Sequence, residues 1–165
     1  MPRGADDPTE LAGRLYDQYG ASLHRYALML LGDRAAAEDA IQQVFAALIA
    51  LASRTAAIDD PKHYLRRAVR NECYSALRRW AGDIARRSPD DALLQSIAGA
   101  YDNPDERLAL ERALRDLPAE QREVVHMKIY EGMTFHEIAS QTDESINTIA
   151  SRYRYAIEKM KALLR

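Results

Sequence analysis

One cysteine, Cys73, stands among 165 residues, so the chain can form neither an internal disulfide nor a Cys-based zinc site. Cys73 falls inside an amphipathic helical pattern, where it reads as a small packed residue rather than a nucleophile. The four histidines, His24, His63, His126 and His136, are scattered without metal-ligand spacing. No metal, cofactor or enzymatic activity is expected. No apolar run approaches the ~20 residues of a membrane span. The N-terminal M-P-R-G-A-D-D-P is polar and is no signal peptide. These absences point to a soluble, cytoplasmic protein without membrane insertion. Period-two alternation is missing throughout, so no strand is expected.

Charge of one sign is also lacking. The formal net charge is −2, too small for an indiscriminate nucleic-acid coat. Its distribution is uneven. Residues 5–60 hold nine acids and four bases, and residues 61–87 hold eight bases and two acids. Residues 88–123 return to nine acids and four bases, and 134–165 hold five bases and four acids. A basic block between acidic ones suits a chain that meets phosphate on one surface and a basic protein on another.

What is present is helical periodicity. Leu11, Leu15, Tyr19, Leu23, Tyr26 and Leu30 predict a helix over 9–31, ended by Gly32 and Asp33. Ile41, Val44, Phe45, Leu48 and Ala52 predict a second, about 34–53. The polar loop Ser53–Asp60 leads to Pro61, a favoured first helical position. Leu65, Ala68, Val69, Cys73, Ala76 and Trp80 predict a third helix to about Trp80, with Lys62, Arg66, Arg67, Arg70, Asn71 and Arg78 outward. Residues 81–103 carry Asp83, Asp90, Asp91 and Asp102 with no sustained period. They read as a flexible linker containing a short helix at Ala92–Ile97. Asn103-Pro104 opens a helix through Leu110, Leu114 and Leu117, and another comes next at about 119–130, with Val124, Val125 and Ile129 inward. The fold class is all-α: two small helical domains, 9–80 and 104–165, joined by the linker 81–103.

The segment from Thr134 to Met160 is the most informative. Thr134 and Glu137 have capping-box spacing, with Phe135, Ile138 and Ala139 on one face. A polar turn, Gln141–Glu144, precedes Ser145, a good N-cap. The next helix carries Ile146, Ile149, Ala150, Tyr153, Ile157 and Met160 on its apolar face. Asn147, Thr148, Ser151, Arg152, Tyr155 and Lys159 lie opposite, groups that bond phosphates and base edges. Short helix, tight turn and longer polar-faced helix make the helix-turn-helix plan. The plainer alternative is two packed helices with a solvated face.

Five stretches in order resemble one family. L-Y-D-Q-Y-G-A-S-L-H-R-Y-A (15–27) and L-G-D-R-A-A-A-E-D-A-I-Q-Q-V-F (31–45) resemble domain 2 of the extracytoplasmic-function (ECF) sigma factors of bacterial RNA polymerase. Y-L-R-R-A-V-R-N-E-C-Y-S-A-L-R-R (64–79) resembles the DNA-facing helix of that domain. A-L-R-D-L-P-A-E-Q-R-E-V-V (113–125) and the helix-turn-helix resemble sigma domain 4. The resemblance implies binding to core RNA polymerase and promoter DNA, with promoter melting, and a possible anti-sigma factor as a third partner. It implies polymerase contacts at Glu38, Asp39, Gln42 and Gln43. It implies −10 contacts at Lys62, His63, Arg66, Arg67, Arg70, Asn71 and Arg78. It implies −35 contacts at Ser145, Asn147, Thr148, Ser151, Arg152, Arg154, Tyr155 and Lys159. By their chemistry Arg152 and Asn147 suit base edges, and Arg154 and Lys159 suit phosphates. The plainer readings are helix-start acids for Glu38 and Asp39 and a solvated basic face for the third helix.

The chain departs from the family pattern in three places. Gln43 stands where Glu is usual. Thr142-Asp143-Glu144 replaces an apolar-Gly-apolar turn. The loop Ser53–Asp60 has no aromatic side chain on which an extruded base could stack. The turn is therefore expected to be more open, with Thr142 and Glu144 exposed and Asp143 at positive φ. A competing class is a helical adaptor that mimics a sigma factor, binding a regulatory protein without DNA. Fork-junction DNA binding with and without core polymerase separates the two.

Overall fold

The computed structural model describes residues 7–51, 58–80 and 103–164. Those residues form seven α-helices and one π turn, with no strand among them. The chain divides into two compact units, Met1–Arg87 and Ser88–Arg165, and the division falls within the expected linker. The rest of that linker up to residue 102, the expected short helix at Ala92–Ile97 and residues 53–57 of the loop lie outside the described residues.

The first unit contains α1 (Pro8–Leu31), α2 (Arg34–Ala50) and α3 (Pro61–Arg79). Each starts on an aspartate whose carboxylate accepts a first-turn N–H: Asp7 from Thr9 at 3.0 Å, Asp33 from Ala36 at 2.8 Å and Asp60 from His63 at 3.0 Å. Such caps satisfy backbone donors that the helix cannot, and each contributes about 1 kcal/mol. Gly32 ends α1 at φ 63°, its N–H closing on Leu28, which lets α2 turn back after one further residue. The three helices pack against one another. Leu23, Tyr26, Met29 and Leu30 of α1, Ile41, Val44, Phe45 and Leu48 of α2, and Leu65, Val69, Cys73 and Ala76 of α3 are all buried. Most of these residues lie on the predicted stripes; Met29 is an addition, and the predicted Leu11, Tyr19 and Ala68 are half-buried.

The second unit contains α4 (Pro104–Arg115), α5 (Ala119–Val125), a π turn (His126–Tyr130), α6 (Phe135–Thr142) and α7 (Ile146–Leu163). Helices α4, α5 and α6 all pack on α7. The single helix expected over 119–130 is interrupted by the π turn, where the Glu131 N–H reaches back to the His126 carbonyl at 3.2 Å. A π turn inserts one residue and rotates the downstream side chains about the helix axis. Met127 is therefore fully buried, and Ile129, expected inward, is 52% exposed.

The turn before α7 is tight, not open. Helix α6 runs through Thr142, so Gln141 and Thr142 are helical and buried rather than part of an exposed turn. Thr142 escapes the cost of burial because its hydroxyl donates to the Ile138 carbonyl at 2.9 Å. Asp143 takes the left-handed conformation at φ 59°, and the Glu144 N–H closes on Ala139 at 3.1 Å, the bond of a Schellman cap. Asp143 is the lone described non-glycine residue at positive φ. Asp143→Gly should therefore be neutral or stabilising by up to about 1 kcal/mol, since glycine adopts this conformation without steric cost. Thermal unfolding of the full chain checks this, and clear destabilisation would show that the aspartate side chain matters more than its backbone.

Candidate nucleic-acid interface

Helix α7 is divided into two faces. Ile149, Ala156 and Met160 are buried, and Ala150, Tyr153 and Ile157 are half-buried. Ile146, expected on this face, is 46% exposed, because at the first turn of α7 it is not covered. Ala156, absent from the expected stripe, is buried in full. Asn147 and Tyr155 are exposed, and Thr148 and Ser151 are half-buried, so these four stay together on the uncovered side. Arg154 is exposed, its guanidinium 5.0 Å from the Tyr155 ring. Ser145 caps the helix, accepting from the Thr148 N–H at 3.0 Å.

Two cations of this face are engaged within the protein. Arg152 lies 3.1 Å from a Glu144 oxygen and 3.8 Å from a Glu120 oxygen, with its side chain 20% exposed. Lys159 donates to the Asp116 carbonyl at 2.7 Å, at the C-terminal end of α4, where a cation complements the helix dipole. Arg152, expected as a base-edge reader, and Lys159, expected as a phosphate anchor, thus each make a contact within the protein, and Lys159 is exposed. Glu144 is half-buried and paired, so its expected exposure is also only partial.

Helix α6 delivers α7 through a full capping box. The Thr134 hydroxyl accepts from the Glu137 N–H at 3.2 Å, and the Glu137 carboxylate accepts from the Thr134 N–H at 2.7 Å and its hydroxyl at 2.9 Å. Phe135 meets Tyr153 edge to face at 5.5 Å, and the Lys128 ammonium sits 5.0 Å from the Phe135 ring. The π turn, α6 and α7 are joined by this aromatic link.

In the first unit, Lys62, Arg67, Asn71 and Arg78 are exposed on α3, and His63 and Arg70 are half-buried. The Arg70 guanidinium lies 4.6 Å from the Tyr74 ring. Arg66 is corrected: it is 5% exposed, its guanidinium 5.2 Å from the ring of fully buried Tyr26, and so it belongs to the α1–α3 packing. Charge alone does not distinguish a solvated arginine from a buried one stacked on a ring. Tyr64, which the sequence reading does not single out, is 41% exposed beside these cations. An aromatic interleaved with bases is the signal for it.

On α2, Glu38, Asp39, Gln42 and Gln43 are all exposed. Arg34 pairs with Glu38 at 3.6 Å. A groove of about 410 Å³ runs between α2 and α3, with Asp39, Gln43, Glu72, Arg79 and Trp80 in its walls. Among the described residues no group of His, Cys, Asp or Glu could hold a metal, and no helix is long and apolar enough to cross a membrane.

Two family descriptions match this architecture, Sigma-70 region 2 over residues 15–82 and Sigma-70 region 4 over 107–160. The ECF RNA polymerase sigma factor SigL of Mycobacterium tuberculosis is 32% identical over 168 residues, covering 91% of this chain and 86% of that protein. BldN of Streptomyces coelicolor, also an ECF sigma factor, is 26% identical over 170 residues, covering 92% of this chain and 60% of its own. The fold matches RpoE of Bartonella quintana, solved in complex with the anti-sigma factor NepR, with a TM-score of 0.66, 23% identity and coverage of 92% and 95%. The chain belongs to the ECF RNA polymerase sigma factors. As such it binds core RNA polymerase and promoter DNA and directs promoter recognition, melting and transcription initiation.

Both Thr134 donors hold the Glu137 carboxyl below the usual carboxylate range, the backbone N–H foremost. A carboxyl lowered on folding stabilises above its unfolded value, about 4.3, and loses that contribution as pH falls through the lowered native value. Glu137→Gln should remove this part of the acid dependence while keeping an acceptor. Unfolding measured from pH 6 down to pH 3 should show the stability difference between wild type and variant shrinking with acid. A difference constant across that range would contradict the lowered carboxyl.

Proposed function

We propose that the two units divide the work of initiation. The exposed side of α2, with Glu38, Asp39, Gln42 and Gln43, docks on core polymerase. Gln43 in place of the usual Glu makes that contact through hydrogen bonds rather than charge. Helix α3 holds the −10 backbone through Lys62, His63, Arg67, Arg70, Asn71 and Arg78, leaving Arg66 to packing. Tyr64 gives an unstacked base an aromatic face at the start of that helix, which the loop Ser53–Asp60 lacks. Helix α7 reads the −35 duplex through Asn147, Thr148, Ser151 and Tyr155, with Ser145 and Arg154 on the phosphates.

The observation that carries this reading is the uncovered side of α7, where small polar groups and an aromatic stand clear of a buried Ile149–Ala156–Met160 stripe. No catalytic residue of its own is needed, because the polymerase makes the bonds. The protein acts in the cytoplasm, where its polymerase is. An anti-sigma factor, the partner in the related RpoE structure, would inhibit this chain by covering the polymerase-docking side of α2.

The test is reconstitution with core polymerase on a cognate promoter. The chain should form a complex and initiate, and Arg67→Ala with Arg70→Ala should weaken opening. Each lost phosphate contact should lower the salt slope of promoter binding by roughly one. An unchanged slope would make the α3 face merely solvated. Absence of any complex with core polymerase, with folding verified, would overturn the reading.

A further inference from the structure

We infer that Arg152 selects promoter sequence as a positioning residue, by fixing the orientation of α7 against α5 and the preceding turn through Glu120 and Glu144, and not by touching a base. The inference rests on the reading of α7 as the duplex-facing helix. An apolar-Gly-apolar turn would lock two helices by burying its side chains. This chain has Thr142, Asp143 and Glu144 there instead. Thr142 turns its hydroxyl onto its own helix and Asp143 supplies the left-handed cap. Glu144 reaches into α7. Its oxygen lies 3.1 Å from the Arg152 guanidinium, two turns into α7. The same guanidinium nitrogen lies 3.8 Å from Glu120 on α5.

One side chain thereby ties three elements: α5, the turn and the recognition helix. A guanidinium suits this task, being planar, permanently charged and rich in donors, where a lysine offers a single point charge. The Arg152 side chain is 20% and Glu144 34% exposed, so this pair is screened less by salt than the Glu120 pair, whose carboxylate is 56% exposed. With Arg152 held this way, the angle at which Asn147, Thr148 and Ser151 meet the groove depends on it. A small rotation of α7 displaces all of them together, so loss of Arg152 should blur several base positions rather than one.

The experiment has two arms on the full chain. In the first, spin labels at S140C and E158C, both exposed sites, report the α6–α7 distance without DNA. Cys73 is fully buried and out of the label's reach. The wild-type background should give one narrow distribution, R152A and E144Q should broaden or shift it, and R152K should fall between. In the second arm, binding to every single-base variant of the −35 element is measured with core polymerase. R152A should reduce discrimination severalfold at two or more positions with the salt slope unchanged, and E144Q, which leaves Arg152 in place, should do the same. An unchanged distance distribution in both variants overturns the inference. So does a loss confined to one base position with E144Q silent, which would make Arg152 a base reader, or a salt slope lowered by about one, which would make it a phosphate contact. Wild-type failure to recognise any −35 element would sink the function proposed above, while the distance arm still decides the role of Arg152.

Discussion

Helix α7 must bury one stripe and leave another bare, and the second unit is arranged around that division. Ile149, Ala156 and Met160 form the stripe against which α4, α5 and α6 all pack. A residue on a helix cannot face both the core and the groove, so the buried stripe decides which side chains remain for DNA. The choice leaves Asn147 and Tyr155 exposed, with Thr148 and Ser151 half-buried beside them. It also makes the two functions of α7 inseparable, since a change that loosens its packing moves its reading face.

The polar devices around α7 serve that same division. A unit this small has little apolar area to bury and is marginal on hydrophobic terms alone. Side-chain caps at Asn103, Thr134 and Ser145 satisfy the first-turn donors of three of its helices. Lys159 closes the end of α4, and Arg152 joins α5, the turn and α7. Each of these contacts is weak singly, as partly exposed polar contacts are. Together they restrict orientation, which matters more for reading a duplex than raw stability does. The first unit solves a similar problem with Arg66 on Tyr26, placing a cation inside and leaving Arg67 and Asn71 outside.

Much of this is legible in the residues. Caps and breakers locate several helices, because Asn103, Thr134 and Ser145 before a periodic run and Gly32 after one have local physical causes, while the aspartate caps Asp7, Asp33 and Asp60 show only in the structure. Helical periodicity finds the cores of α1, α2 and α3 for the same reason. The misreadings share a different cause. Ile129 turns outward and Met127, not singled out, is buried because a π turn shifts the period, and no residue type announces an extra residue in a turn. Thr142 is expected outside because its hydroxyl looks costly to bury, yet a bond to its own helix removes that cost. Arg66 reads as outward because a cation shows its charge in the sequence and hides its partner, as the contacts of Arg152 and Lys159, eight and 43 residues away, are hidden too. The division of α7 into faces is readable in outline, while the coverage of Ile146 depends on neighbours that the sequence places elsewhere.

Site-specific photo-crosslinking tests the central claim most directly. A photoreactive residue placed in turn at Asn147, Ser151, Tyr155 and Ile146 of the full chain would be irradiated in complex with core polymerase and promoter. Ile146 is exposed but lies on the side of the buried stripe. The account predicts crosslinks to the −35 duplex from the first three positions and none from Ile146. Crosslinks from Ile146, with Asn147 and Ser151 silent, would mean that α7 presents a different side to DNA and that its buried stripe does not set the reading face.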